Sequence, residues 1–175
     1  MNLGHDYTKV YACVNDCILH RGDYLKSTSC PTCKFSRYKD PHKKLPHKVM
    51  RYFPLAPRLQ QLYVTSNTTK EMRWHKDRPF REDGKMRQPA DSIAWKNFDS
   101  QYPSFATDSH NVRLGLSSDG FYPFGNMSTI YNVWPVVLIP YNLPTWMCMK
   151  HPYFIMSTLI PCPTAPMTFM SIYKL

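Results

Sequence analysis

Two sets of side chains in this chain could do chemistry. The first is sulfur. Cys13, Cys17, Cys30 and Cys33 are spaced C-x3-C, twelve residues, then C-x2-C. Four thiolates on two close pairs of turn-like loops can close a tetrahedral structural zinc site, and Pro31 in CPTC suits a tight knuckle. His20 is a possible substitute ligand. Four unrelated buried thiols are the competing reading. A redox dithiol at Cys30 and Cys33 would want a strand–helix pattern around it, and none is visible. Cys148 and Cys162 stand apart and read as core thiols. The second set is a single carboxylate, Asp119, at the end of the run RLGLSSDG. It is the last acidic residue, since none follows from Gly120 to Leu175. Taken locally, an Asp before a Gly is turn chemistry.

The charge is unevenly spread over the 175 residues. Residues 1–87 hold 18 Lys and Arg against 8 Asp and Glu, a balance of +10, while residues 88–175 hold 4 of each. A basic half joined to a neutral half points to a polyanionic partner, with nucleic acid ahead of an anionic membrane surface. The competing reading is a basic surface that serves only solubility. The basic residues nearest the cysteines are Lys34, Arg37, Lys39, Lys43, Lys44, Lys48 and Arg51, interleaved with Phe35, Tyr38, Tyr52 and Phe53. Cations neutralise phosphates and aromatic faces can stack on exposed bases, although Phe53 reads better as core. The N-terminus lacks the pattern of a signal peptide. The most apolar stretch is cut by Pro135, Pro140 and Pro144, so no membrane span is expected.

The elements that must carry these residues are short, because there are sixteen prolines. Pro57 at a first helical position predicts a helix over Arg58–Val64, with Leu59, Leu62 and Tyr63 on one side. Thr68-x-x-Glu71 fits a capping box and predicts a second, carrying Met72, Trp74 and His75. A third is expected after Asp91, burying Ala94, Trp95 and Phe98 and ending before Pro103. Then the period changes. NVRLGLSS, YNVWPVVLIPY and PYFIMSTLIP are three strand-like runs without an intervening helix, which predicts an antiparallel meander whose middle strand is weakened by its prolines.

ACVNDCILH, CPTCKFSRYK, KVMRYFPLAPRLQQLY, MRWH, PADSIAWKNFD and LPTWMCMK occur in this order. Together they closely resemble plant CACTA (En/Spm-type) DNA transposases from about Lys9 to Pro163. Tyr122, Gln88 and Cys162 depart from the pattern at GFNPF, before PAD and in an IPGP word, and the resemblance stops after Pro166.

The resemblance implies an α+β chain divided into a four-cysteine zinc-binding module (1–45), a basic helical linker region (46–107), the first three antiparallel strands of an incomplete RNase H-like core (108–163) and an unrelated tail (164–175). It implies nuclear localisation, DNA as partner, and Mg²⁺ or Mn²⁺ chemistry in the complete family enzyme. Asp119 then stands where the first of three metal-binding acids belongs, with Gly120 allowing close approach of backbone to substrate. With no acid after it, the expectation is a truncated and inactive catalytic region whose last strands leave an open edge. The alternative is a non-enzymatic, zinc-dependent nucleic-acid-binding protein, and a third is a protein-interaction module.

Overall fold

The computed structural model describes residues 7–78, 84–123 and 132–161. Cys162, the tail at 164–175, and parts of the loops after Arg78 and Pro123 lie outside them. The chain is mixed α and β. In order it forms β1 (Thr8–Ala12), β2 (Leu19–His20), β3 (Tyr38–Asp40), β4 (Leu45–Pro46), β5 (Lys48–Tyr52), α1 (Leu55–Gln61), α2 (Ser66–Met72), α3 (Trp74–Asp77), α4 (Ile93–Gln101), α5 (Pro103–Thr107), β6 (Leu114–Ser118), β7 (Val133–Pro140), α6 (Thr145–Cys148) and β8 (Ile155–Pro161). Short 3-10 turns occupy Gly22–Tyr24, Pro89–Asp91 and His151–Tyr153.

Six strands form one sheet in the order β2-β1-β5-β8-β7-β6, and β3 pairs with β4 in a separate ribbon. The three apolar runs are adjacent strands, as their periodicity predicts. Their surroundings differ from expectation. Strand β8 is not left with an open edge, because Arg51 and Tyr52 of β5 pair antiparallel with Leu159 and Thr158. The stretches 8–12 and 48–52, placed by sequence in separate consecutive regions, pair with each other along their whole length, Thr8 opposite Tyr52 and Ala12 opposite Lys48. Pro135 and Pro140 do not break β7. A proline removes one ladder donor, and the Pro135 carbonyl still accepts a hydrogen bond from Ser118 Oγ at 2.9 Å.

Contacts divide the chain into two compact units that are discontinuous in sequence. The first combines the chain up to Pro54 with Ser118–Val136 and the stretch from Met156 on, and the second combines Leu55–Ser117 with Val137–Ile155. The first unit has a core of Met50, Val136 and Ile160, flanked by Val10, Leu19, Tyr52 and Trp134. The second is built around Leu62, Met72, Leu138, Ile139, Leu143, Cys148 and Ile155. Burying large aliphatic side chains of this kind contributes about 1.5–3 kcal/mol each.

The helices of the second unit form for local reasons that shift the expected boundaries. Helix α1 starts two residues before Pro57, which sits in its first turn, where a missing N–H leaves no bond unmade. Leu62 is buried in the core with Leu59 and Tyr63 packed against it, although the helix ends at Gln61 and Leu62 and Tyr63 lie in the turn after it rather than on a helix over Arg58–Val64. Helix α2 is capped by Thr65, whose hydroxyl accepts the Thr68 N–H at 3.2 Å. The expected cap at Thr68 is one turn too late, because Thr65 offers the same hydroxyl earlier. Ser92 caps α4 through the Trp95 N–H at 3.1 Å. Helix α4 ends at Gln101, before Pro103 as expected, and Pro103 opens α5.

The predicted burial of Ala94 and Phe98 is not found. Ala94 is exposed and Phe98 is 40% exposed. Beneath this helix lies a guanidinium instead of apolar core. Arg113 sits 3.9 Å from the centre of the Trp95 ring and is ion-paired with Asp99. Gly115 of β6 is required by packing, since a Cβ there would collide with the Tyr141 ring.

The start of β6 hangs on one buried amide. Asn142 is fully buried; its Oδ1 accepts the Arg113 N–H at 2.7 Å and its Nδ2 donates to the Asn111 carbonyl at 3.0 Å. Replacing it by alanine leaves a backbone donor and acceptor without these partners, at a cost of about 1–3 kcal/mol. Asn142→Ala is therefore expected to lower the denaturation midpoint correspondingly in urea unfolding followed by circular dichroism. An unchanged midpoint would show that the amide carries no stability.

Candidate metal centre

Strand β1 delivers Cys13 at its end, and the chain turns back at once. The Asp16 N–H bonds the Cys13 carbonyl at 3.1 Å, and the Cys13 N–H bonds the Ile18 carbonyl at 3.0 Å. The turn places Asp16 in the left-handed region at φ 56°, which aspartate tolerates better than most residues. The Asp16 carboxylate is ion-paired with Lys48 of β5. The second pair is built the same way. The Lys34 N–H bonds the Cys30 carbonyl at 2.9 Å, the Cys30 N–H bonds the Phe35 carbonyl at 2.9 Å, and Lys34 is left-handed at φ 62°. A bridge between Ser29 and Ser36 closes this loop.

The two loops bring the four sulfurs together. Every Sγ lies within 4.8 Å of the others, with Cys13 and Cys33 3.4 Å apart. Tetrahedral zinc with thiolates near 2.3 Å would set sulfurs about 3.8 Å apart, so the donor set fits such an ion. All four are free thiols; Cys13 and Cys30 are buried, Cys17 and Cys33 half-buried. Four protein ligands leave no open position, so the chemistry of the set is structural. His20 lies on β2 opposite Tyr11 and is outside the sulfur group. It is buried, and burial with the nearby Arg37 charge pushes its pKa down, which keeps it neutral.

Crowding splits the thiols. Burial, then the neighbouring Cys33 and Cys13 sulfurs, push Cys17 up to about 12. Cys13 is also raised, chiefly by burial. Cys33 is lowered to about 6, above all by the Phe35 backbone N–H. A cation is what allows such a group to ionise together.

The predicted DNA-contacting residues fall into two sets. Lys34, Lys39, Lys43 and Lys44 are exposed. Arg37 is not a surface cation. It is 8% exposed, its guanidinium donates to the Leu25 carbonyl at 2.6 Å and the Ser27 carbonyl at 3.2 Å, and it lies over the Tyr11 and Tyr38 rings. Its five donors suit it to tying loop carbonyls together, which is why it folds inward. Lys48 is half-buried against Asp16, and Arg51 is half-buried with its guanidinium 5.6 Å from the Tyr7 ring.

Asp119 is exposed just past the end of β6. Gly120 beside it answers to packing rather than to substrate: an added Cβ would come 2.7 Å from the Trp134 ring. Among the described residues the cysteines are the one group of three or more metal-type side chains in mutual reach, and Asp119 belongs to none. The nearest earlier carboxylates are engaged elsewhere. Asp91 pairs with Arg78, Asp99 with Arg113, and Asp108 accepts from the His110 backbone at 2.9 Å. Sequence reasoning missed the Arg113–Asp99 pair. Its signal was that Arg113 is the sole arginine after residue 87.

A family model described as transposase family tnp2 matches residues 83–174, just over half of the chain, and the chain belongs to that family. No curated protein and no solved structure matches it. No described helix is long and apolar enough to cross a membrane.

Metal affinity should depend on pH in two regimes. A metal binds the thiolates, so it must displace the protons of Cys13 and Cys17 near neutrality. Below about pH 6 Cys33 holds a proton too, and the dependence steepens. Titration with zinc across this range is expected to show log affinity falling as pH falls, with a larger slope below about 6. An affinity independent of pH would mean that these thiols do not bind the ion.

Proposed function

We propose that this chain is part of a plant CACTA (En/Spm-type) transposase. In this reading a zinc-stabilised, DNA-binding first part leads into the opening strands of an RNase H-like core, in the nucleus. The observation that carries it is the place of Asp119. It ends the first of three consecutive neighbouring strands in a chain of the tnp2 transposase family. In this reading Asp119 would be one of three acids that hold divalent ions in the complete enzyme, and the ions would supply Lewis-acid activation of the attacking and leaving oxygens.

The residues of this chain do not fit such a pair of ions. Each hard divalent cation takes six or more oxygen ligands, and in the proposed enzyme three acids supply the protein's share for the pair. Asp119 offers one carboxylate, and residues 120–175 contain no Asp or Glu. No catalytic step is therefore assigned to these residues alone. What they supply is binding: the four cysteines hold zinc, which fixes the loops, and the loops present Lys34, Lys39, Lys43 and Lys44 to phosphates. The second reading, a zinc-dependent nucleic-acid-binding protein without enzymatic activity, is favoured by those same exposed lysines.

Four phosphate contacts predict a slope of about −3.6 in log affinity against log salt, hence roughly a hundredfold loss between 50 and 200 mM. Binding of duplex DNA measured by fluorescence anisotropy is expected to show this slope. Salt-independent binding, or none, would overturn the DNA-binding reading. Incubation with Mg²⁺ or Mn²⁺ is expected to leave DNA intact. Cleavage that Asp119→Ala abolishes would show instead that the chain assembles a working site. Metal analysis under reducing conditions should find one zinc per chain.

A further inference from the structure

The ribbon of β3 and β4 stands outside the six-stranded sheet, and its build is unusual for a loop that only connects. Its root is fixed. The Arg37 N–H bonds the Thr28 carbonyl at 2.8 Å and the His47 N–H bonds the Arg37 carbonyl at 3.1 Å. The Tyr38 ring meets the Tyr11 ring edge-on at 6.5 Å, with the Arg37 guanidinium 4.6 Å from the Tyr11 ring.

Its tip is fixed too. Asp40 Oδ1 accepts the His42 N–H at 2.9 Å and the Lys43 N–H at 3.2 Å, an Asx turn that organises Pro41–Lys44. Pro41, His42, Lys43 and Lys44 are all exposed, as are Lys39 before them and Leu45 after them. Lys44 is left-handed at φ 48°. Glycine or asparagine would hold that conformation with less strain, so a lysine there keeps charge at the expense of local comfort.

Three lysines on a short two-stranded ribbon, paired at Tyr38–Pro46 and Asp40–Leu45 with a bulge between, and with the Asp40 carboxylate of the tip bonded to its own backbone, form a cationic finger. The major groove of duplex DNA admits a two-stranded ribbon, with phosphates along both walls. From this placement we infer that the β3–β4 hairpin is the element that enters the DNA major groove, with Lys39, Lys43 and Lys44 on phosphates and the Asp40 turn holding the tip in shape. The inference rests on the DNA-binding reading above and assigns that binding to one element rather than to diffuse positive charge.

The test compares variants of equal net charge. In K39Q/K43Q/K44Q the salt slope should shrink by about 2.7, the equivalent of three phosphate contacts. In K26Q/K70Q/K150Q, at three exposed lysines elsewhere, it should hardly change. Asp40 gives a test of opposite sign. Asp40→Ala raises the positive charge, so diffuse attraction predicts tighter binding, whereas loss of the turn predicts roughly three- to tenfold weaker binding. Asp40→Asn keeps an acceptor and should not weaken it. Guanine N7 lies in the major groove, so bound protein should protect it from dimethyl sulfate and K39Q/K43Q/K44Q should not.

Equal slope losses in both triple variants, tighter binding by Asp40→Ala, or unprotected N7 would each overturn the assignment while leaving DNA binding intact. A wild-type chain that does not bind DNA would overturn both.

Discussion

Four sulfurs held within 4.8 Å of one another set the constraint on the first unit. Thiolates so close repel, and thiols so buried lose water; a cation relieves both. The structure shows the tension in its acidities, with Cys17 pushed up to about 12 and Cys33 down to about 6. The same cluster joins the end of β1 to the loop that leads into the β3–β4 ribbon. Holding the sulfurs therefore also holds the base on which the exposed lysines stand. Arg37 works beside it, binding two loop carbonyls from between two tyrosine rings.

The second unit, built on its apolar core, also holds a cation of its own. Arg113 faces Trp95, Phe98 and Phe105 and pairs with Asp99. Its backbone is held by Asn142 and by the Tyr141 N–H. A guanidinium against aromatic faces can be desolvated where a lysine could not, because its charge is spread over a flat group. On the same helix Ile93 is exposed and Phe98 is partly so.

Function divides along chemical lines. Soft sulfur donors are gathered in one cluster, and the exposed ammonium groups are the ones the proposed function sets against phosphates. The one exposed carboxylate at a strand end, Asp119, has no companion acid in the 56 residues that follow it. Membership of the tnp2 family gives that aspartate its interest, and the donor count is the reason the proposed reading assigns binding to these residues and no cleavage step.

Much of this was legible in the residues. The C-x3-C and C-x2-C spacing named the sulfur cluster because short pairs on tight turns converge almost regardless of the remaining fold. The periods of LGLSS, VWPVVLIP and IMSTLIP named three adjacent strands, since alternation is a local property. Helix caps were legible only to within a turn: TSNTT and ADS each offer several side chains that can cap, and Thr65 and Ser92 are the ones that accept the free N–H groups. What tertiary structure alone decided is long-range. Pairing of β5 with β8 joins residues about a hundred positions apart and depends on register that no local pattern encodes. Arg37 reads as a surface cation until its carbonyl partners, brought from Leu25 and Ser27, are in place. Asp40 reads as a turn residue and Lys44 as one charge among many. Only the folded ribbon turns the carboxylate inward and leaves the lysines facing outward.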